Sequence, residues 1–190
     1  KHPNSRRTFL KKTALTAAGI SIIPRSVLGK GFIPPSDQLN IAVIGAGGKG
    51  YSDMVNAWNN GASRISAICD VDWNSAERGF KKFPKAKRFK DFRKMFDQVS
   101  DIDAVTISTP DHTHAVAAHT AMQLKKHVYV QKPLTHSIKE ARMLAEAAKK
   151  YKVVTQMGNQ WASADHVRRI KEVIDAGLIG EIDKVYAWTD

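Results

Sequence analysis

A glycine-rich turn, GAGGKG at positions 45–50, follows an apolar run and precedes a helical segment. Gly45 permits a tight turn, Gly47 lets the backbone approach a phosphate with no Cβ in the way, and Gly50 allows the helix to pack closely. The unpaired amides there, that of Gly48 included, and the positive end of the helix dipole suit a dinucleotide diphosphate. Alone, such a turn often serves only to reverse the chain.

An acidic residue, Asp70, ends the next apolar run, 20 residues after Gly50. A carboxylate at this position accepts hydrogen bonds from both adenosine ribose hydroxyls and repels a 2′-phosphate. The pair of features therefore predicts a site for NAD rather than NADP. Asp72 better fits a helix cap or a solvated turn.

The elements that position these residues alternate along the chain. Short apolar runs separated by helical segments predict parallel strands joined by right-handed helical crossovers, that is, a doubly wound α/β sheet. The predicted strands are Leu39–Ile44, Ile65–Cys69, Lys87–Phe89, Ala104–Ser108, Val128–Val130 and Val153–Met157. The predicted helices cover 49–59, 75–82, 91–98, 114–125, 137–151 and 166–176.

Local signals mark two helix ends. Ser137 and Glu140 have the spacing of a capping box at the start of one helix. Gly177 stands where a left-handed cap ends another.

Composition narrows the class of protein. In the 190 residues, 43% are apolar and 25% are charged, which is typical of a globular protein. Cys69 is the only cysteine, so an intramolecular disulfide and a cysteine-rich metal site are excluded. The net charge of +12 is concentrated in residues 1–35, which hold seven basic and no acidic residues and leave +5 for the rest. This distribution weakens any argument from charge towards nucleic acid.

Residues 1–30 have the layout of an export leader. Arg6-Arg7 begins a basic segment that resembles a twin-arginine signal, and an apolar run up to Pro24 follows. The run is too short to span a bilayer, and no cysteine follows it to carry a lipid anchor. We therefore expect a periplasmic or exported protein, with residues 31–37 as a linker. The alternative is a basic amphipathic helix; the protein is cytoplasmic if the leader does not function.

Three further motifs follow strands or end helices: STPDHTH at 108–114, QKPL at 131–134 and GLIGEI at 177–182. With the glycine-rich turn, they resemble the Gfo/Idh/MocA oxidoreductases, the glucose-fructose oxidoreductase and inositol dehydrogenase family, over residues 38–190. The chain looks like the exported Bacteroidetes-type members. The resemblance implies a Rossmann NAD(P)-binding domain over 38–160, then a connecting helix and the first strand of a second α/β domain over 161–190. Residues 182–188 are predicted to form that strand.

The resemblance also implies roles for individual residues. It puts Ser108, Thr109, Pro110 and His114 beside the cofactor, although the residue types alone equally fit a turn and a helix start. It makes Lys132 the catalytic residue, in contact with both the nicotinamide and the reacting hydroxyl, where an ammonium stabilises a developing alkoxide.

Other candidate residues follow the fifth and sixth strands. Gln131 stands where the family usually has glutamate, and its amide can hydrogen-bond to a ribose or to Lys132. Asn159 is a candidate cofactor contact, and Gln160 and Trp161 are candidate substrate contacts; a polar loop leading into the next domain explains them equally well. No metal site is expected, because His112 and His114 lack a third ligand nearby.

The predicted function is NAD-dependent hydride transfer to or from a hydroxyl carbon of a sugar, glycoside or polyol. The alternative is glycoside processing through transient oxidation by tightly bound NAD. A basic segment with interleaved phenylalanines, residues 80–96, gives a weaker nucleic-acid alternative. Phenylalanines beside lysines on short helices are more often core anchors with a solvated opposite face. By the resemblance, the catalytic base belongs to a missing second domain, so we expect this chain to be an inactive part of a longer, homo-oligomeric enzyme with no stable membrane anchor.

Overall fold

Six parallel strands form one sheet in the computed structural model, which describes residues 37–188; the side chains of Trp161 and Ser163 lie outside this description. The strand order is β3-β2-β1-β4-β5-β6. The strands are β1 (Asn40–Ile44), β2 (Arg64–Cys69), β3 (Lys87–Phe89), β4 (Ala104–Ile107), β5 (His127–Gln131) and β6 (Thr155–Gly158). This is the doubly wound α/β sheet that the alternating pattern predicts.

Helices follow the strands in turn. They are α1 (Gly48–Trp58), α2 (Glu77–Lys82), α3 (Phe92–Gln98), α4 (His114–Gln123), α5 (Ile138–Tyr151) and α6 (Asp165–Asp175). The predicted helices match these bounds within two residues. The leader predicted over 1–30, and nearly all of the linker predicted over 31–37, lie outside the described residues.

The core has two layers because successive strand residues point to opposite faces of the sheet. On one face, Ile41 and Val43 pack with Met54 of α1 and Phe80 of α2. The other face carries a larger apolar cluster, to which α3, α4 and α5 contribute. Continuous apolar strands are therefore buried from both sides near β1 and β2.

The registers bring the carboxyl ends of the strands to one edge. Ile44 at the end of β1 is level with Cys69 of β2 and Ile107 of β4. Gln131 at the end of β5 is level with Gly158 of β6. From β1 the chain adds strands β2 and β3 on one side of the sheet, and then β4, β5 and β6 on the other side. Open α/β sheets form their ligand crevice at this change of side, here between β1 and β4.

The ends of two helices agree with the sequence signals. Ser137 accepts a hydrogen bond from the Glu140 amide, and the Glu140 carboxylate accepts one from the Ser137 amide, so the capping box is formed. Gly177 has φ +67°, and its amide and that of Leu178 bond to carbonyls of the last turn of α6. This is the left-handed cap that the sequence predicts.

The last strands differ from the expectation. β6 begins at Thr155 rather than Val153, because the Val153 amide bonds to the Ala148 carbonyl and so closes the end of α5. The strand predicted over 182–188 is not formed: these residues are exposed, and no described strand lies beside them. The assignment of 161–190 to a second domain stays a prediction. Within residues 37–188, no helix has both the length and the apolar character needed to cross a membrane.

The capping box gives a direct stability prediction. Ser137→Ala removes the acceptor of the Glu140 amide, and we expect the free energy of unfolding to fall by about 1 kcal/mol. Urea unfolding of the full-length protein measures the change. Ser100→Ala is the matched control, because Ser100 is exposed in a turn and makes no described side-chain hydrogen bond; an equal loss in both variants would contradict the role of the box.

Candidate cofactor site

A cavity of about 520 Å³ opens at the carboxyl edge of the sheet, between the turns that follow β1 and β4. Residues after β2 close one of its sides. Six of the predicted cofactor residues line it, namely Gly45, Gly47, Asp70, Ser108, Thr109 and Pro110. The structure thus brings together residues that are up to 65 positions apart in the sequence.

Two glycines allow the backbone segments at this edge to touch. Gly45 has φ +83°, and a Cβ there would lie 2.6 Å from the carbonyl oxygen of Ser108. A Cβ on Gly50 would overlap the carbonyl oxygen of Gly45. The tight turn expected of Gly45 and the close packing expected of Gly50 are both present. Gly50 packs against the Gly45 carbonyl of the glycine-rich turn.

The amino end of α1 faces the cavity without a capping side chain. Its N-cap residue is Gly47, which has no side chain to accept a hydrogen bond from the first amides. Gly48 is exposed and has φ +48°. A Cβ on Gly47 would overlap the Ser75 hydroxyl, so that hydroxyl uses the space which the glycine leaves. The first amides of a helix have no intrahelical acceptor, and a diphosphate fits them chemically.

Asp70 holds the glycine-rich turn in place. Its Oδ2 accepts a hydrogen bond from the Ala46 amide at 2.7 Å, and its Oδ1 accepts one from the Asp72 amide at 2.9 Å. Each carboxylate oxygen keeps a further lone pair for a ribose hydroxyl. Asp72 accepts hydrogen bonds from the Asn74 and Ser75 amides, which is the turn role expected of it. The turn-holding role of Asp70 was not anticipated.

His114 joins two loops and does not line the cavity. Its ring is 1% exposed, with Nδ1 2.7 Å from the Pro133 carbonyl oxygen and Nε2 2.7 Å from the Thr109 carbonyl oxygen. Both ring nitrogens are therefore engaged, and neither is available to a metal paired with His112. Across residues 37–188, no three histidine, cysteine or acidic side chains are grouped so as to hold a metal ion.

Lys132 and the residues that follow β6 lie at the same edge, but outside this cavity. Lys132 is exposed directly after β5, and Asn159 is exposed directly after β6. Gln160 begins a short 3-10 turn at Gln160–Ser163. The Trp161 side chain, predicted to stack on a sugar, is outside the described residues. The residues before Lys132 and Asn159, namely Gln131 and Gly158, are paired in the β5–β6 register.

Gln131 faces the protein interior, so its side chain is not exposed for the predicted contact with a ribose. The predicted hydrogen bond with Lys132 is present, because Gln131 Oε1 accepts one from the Lys132 backbone amide at 3.2 Å. Gln131 is 5% exposed, and its Nε2 donates to Asp53 Oδ2 at 2.9 Å. Ser108 Oγ donates to the same oxygen at 2.8 Å. The sequence argument missed Asp53 because, four positions after Lys49 on a helix, it has the spacing of a surface ion pair.

The basic segment at 80–96 packs through its aromatic rings. Phe80 belongs to the core, and the Arg88 guanidinium lies 4.7 Å from the centre of its ring. The Lys90 ammonium lies 5.5 Å from the centre of the Trp73 ring. These contacts support the interpretation of the phenylalanines as core anchors rather than as a nucleic-acid surface.

The strand order, the glycine-rich turn at 45–50 and the acidic residue Asp70 directly after β2 together define a Rossmann dinucleotide-binding domain. Residues 39–159 match the family model described as the oxidoreductase family with an NAD-binding Rossmann fold, GFO_IDH_MocA. The chain belongs to this family, as its motifs predict.

Relatives and solved structures agree with this assignment. The chain is 26% identical to an alpha-N-acetylgalactosaminidase of Shewanella oneidensis and 27% identical to a glycosyl hydrolase family 109 protein of Shewanella pealeana, over 95% and 94% of its length. It covers 45% and 44% of those proteins, which is less than half.

Two dehydrogenases have a similar structure. Myo-inositol 2-dehydrogenase of Lactobacillus plantarum superposes with a TM-score of 0.69 at 26% identity, over 76% of this chain and 43% of that one. Scyllo-inositol dehydrogenase of Lactobacillus casei, solved with NAD(H) and scyllo-inositol, gives 0.67 at 26% identity, with the same two coverages.

Cys69 gives a test of the packing beneath the cavity. It is 3% exposed, and burial, followed by the charges of Asp70 and Asp91, raises the pKa of its thiol to about 12. Thiolate is the reactive form, so at pH 8 its fraction falls about a thousandfold below that of an ordinary thiol. We expect Ellman's reagent to leave Cys69 almost unmodified in the native protein and to label it after guanidinium unfolding, with Cys69→Ser as the reference for any other thiols. Rapid labelling of native protein, absent in Cys69→Ser, would contradict this packing.

Proposed function

We propose that the protein containing this chain binds NAD in the cavity between the β1 and β4 turns and catalyses hydride transfer at a hydroxyl-bearing carbon of a sugar, glycoside or polyol. The proposal rests on one observation: Gly47, Asp70 and Thr109 line the same cavity, at the point in the sheet where β1 and β4 are neighbours. NAD-linked names among the structural neighbours support it.

The chain's own residues account for cofactor binding. The uncapped amino end of α1 and the backbone of the glycine-rich turn would bind the diphosphate. The free lone pairs of Asp70 would accept the ribose hydroxyls, while its charge opposes a 2′-phosphate. Bound NAD⁺ would supply the hydride acceptor. His114 would keep the Thr109 loop against the loop that follows Lys132, since its ring contacts both.

Lys132 is proposed as the catalytic residue. Its ammonium is exposed at the end of β5, where the carboxyl edge of a parallel sheet gathers ligands. A positive charge there would stabilise the alkoxide that develops on a substrate hydroxyl as its proton leaves. The proton acceptor is not His114, because both of its nitrogens already contact carbonyl oxygens. Asn159, Gln160 and Trp161 remain proposed contacts of the nicotinamide or the sugar.

Cofactor choice is tested by fluorescence titration of the full-length protein with NADH and NADPH. We expect NADH to bind at least about tenfold more tightly, because the Asp70 carboxylate repels the additional phosphate. Asp70→Ser should narrow this ratio, whereas the control Asp72→Ser, which removes an acid two residues away, should change it less than about threefold. Tighter binding of NADPH by the unaltered protein would contradict the proposed role of Asp70.

A second candidate is glycoside cleavage with NAD that is oxidised and reduced within one turnover. The glycosidase names of curated relatives that match 94–95% of this chain favour it. Both candidates use the same cavity and Lys132, and they differ in whether the hydride returns to the substrate. We also propose export through the twin-arginine leader, on the Arg6-Arg7 motif alone.

The two reactions are separated by following two products. The full-length protein is supplied with an aryl α-N-acetylgalactosaminide without added NAD, and separately with inositols plus NAD⁺. Release of the phenol with no lasting NADH absorbance is the result expected of the glycosidase. NADH accumulation in stoichiometric amounts with an inositol is the result expected of the dehydrogenase. Lys132→Met should abolish either activity while leaving NADH affinity within about tenfold; unchanged turnover would contradict its proposed role.

A further inference from the structure

Asp53 is a buried carboxylate that connects three segments of the domain. It lies on α1 and is 5% exposed. Its Oδ2 accepts hydrogen bonds from Ser108 Oγ, after β4, and from Gln131 Nε2, at the end of β5. The Lys49 ammonium contacts its Oδ1. A buried charge is tolerated when it is paired and hydrogen-bonded in this way.

The side-chain amide of Gln131 uses its two ends differently. Its Nε2 donates to Asp53 Oδ2 at 2.9 Å, and its Oε1 accepts a hydrogen bond from the backbone amide of Lys132 at 3.2 Å. Glutamine suits both partners, because its NH₂ group donates to the Asp53 carboxylate while its carbonyl oxygen accepts from the Lys132 amide. The orientation of this amide is therefore set by Asp53 on one side and by the Lys132 backbone on the other.

The space around this amide is closed on the side of β6. A Cβ on Gly158 would lie 2.7 Å from Gln131 Nε2 and 2.6 Å from Tyr129 Oη. Glycine at position 158 thus lets β6 pack against the amide, and the amide has little room to turn. A glutamate at position 131 would put a carboxylate oxygen at hydrogen-bonding distance from Asp53 Oδ2 with no hydrogen between them, which is unfavourable while both are ionised.

We propose that Asp53 and Gln131 form a matched pair that positions the backbone of Lys132, and that the charge of Asp53 is what requires glutamine rather than glutamate at position 131. Both are positioning residues that act through Lys132. The pair rests on the contacts above, whereas its effect on turnover rests on the proposed function of Lys132.

The test compares four forms of the full-length protein by thermal unfolding: unaltered, Asp53→Asn, Gln131→Glu, and the double variant. In the double variant the carboxylate moves to position 131, and an asparagine amide at position 53 can donate to it. We expect Gln131→Glu to lower the unfolding midpoint by about 5 °C or more. The double variant should unfold above Gln131→Glu, although it carries one more substitution.

Gln156→Glu is the matched control for the chemical change. Gln156 is exposed on β6, next to Tyr129 in the register. We expect its effect to add to that of Asp53→Asn, whereas the effect of Gln131→Glu should not add. Should Gln131→Glu fail to fold, a folded double variant supports the pair and an unfolded one overturns it. A double variant that unfolds at or below Gln131→Glu, or a Gln131→Glu protein as stable as the unaltered one, also overturns it.

The pH dependence separates charge repulsion from poor fit. Lys49 of α1 contacts Asp53, and His127 and Tyr129 of β5 line a cavity with it. These groups are common to all four forms. The two facing carboxylates of Gln131→Glu can share a proton in acid, so its deficit in midpoint should shrink between pH 8 and pH 5. A deficit that stays constant would overturn the electrostatic explanation.

The positioning role is read from kinetics below the lowest unfolding midpoint. With a sugar or polyol that the unaltered protein oxidises, Gln131→Glu should lower kcat by about tenfold with a smaller change in the KM for NAD⁺, and the double variant should regain activity. Normal kcat in Gln131→Glu would overturn the positioning role. If the unaltered protein neither binds NAD nor oxidises any such compound, the proposed function fails, while the unfolding comparison still decides the pair.

Discussion

The close approach of Gly45 to the Ser108 carbonyl is the constraint from which this domain's site follows. β1 and β4 are adjacent in the sheet, yet the crossovers from them lead to opposite faces. Their turns must therefore diverge from a shared point, and only a residue without a Cβ fits there. The divergence opens the crevice, while Asp70, which bonds to the Ala46 amide, fixes its rim. The cavity is thus a consequence of the strand order and of glycines, which have no Cβ, at positions 45 and 50.

A second layer of polar contacts lies beneath this crevice. Asp53 accepts hydrogen bonds from Ser108 and Gln131, and the His114 ring contacts the Thr109 and Pro133 carbonyl oxygens. These contacts join the turns after β4 and β5 through buried side chains rather than through the sheet ladder. Because buried hydrogen bonds are costly to break, they restrict the loop that carries Lys132. The residue proposed to do the chemistry is exposed, and the groups that hold it are inside.

Much of this arrangement could be predicted from the sequence, because short-range signals determine it. Apolar runs and helical periodicity gave five of the six strands nearly to the residue, and the capping box gave the start of α5. The partners of Asp53 could not be predicted, since they are 55 and 78 positions away and its spacing from Lys49 suggests a surface ion pair. The strand predicted over 182–188 also depends on distant partners, and the described residues offer none. The hydrogen bond between Gln131 and Lys132 was predicted, but the one between Gln131 and Asp53 was not, because only the fold brings α1 against the end of β5.

A crystal structure of the full-length protein grown with NAD would show whether a dinucleotide lies across the β1–β4 crevice. We expect diphosphate density against the backbone of Gly47 and Gly48, with the adenosine ribose hydroxyls within hydrogen-bonding distance of Asp70. Density for the cofactor elsewhere, or a side chain filling this crevice in the crystals grown with NAD, would contradict the proposed site.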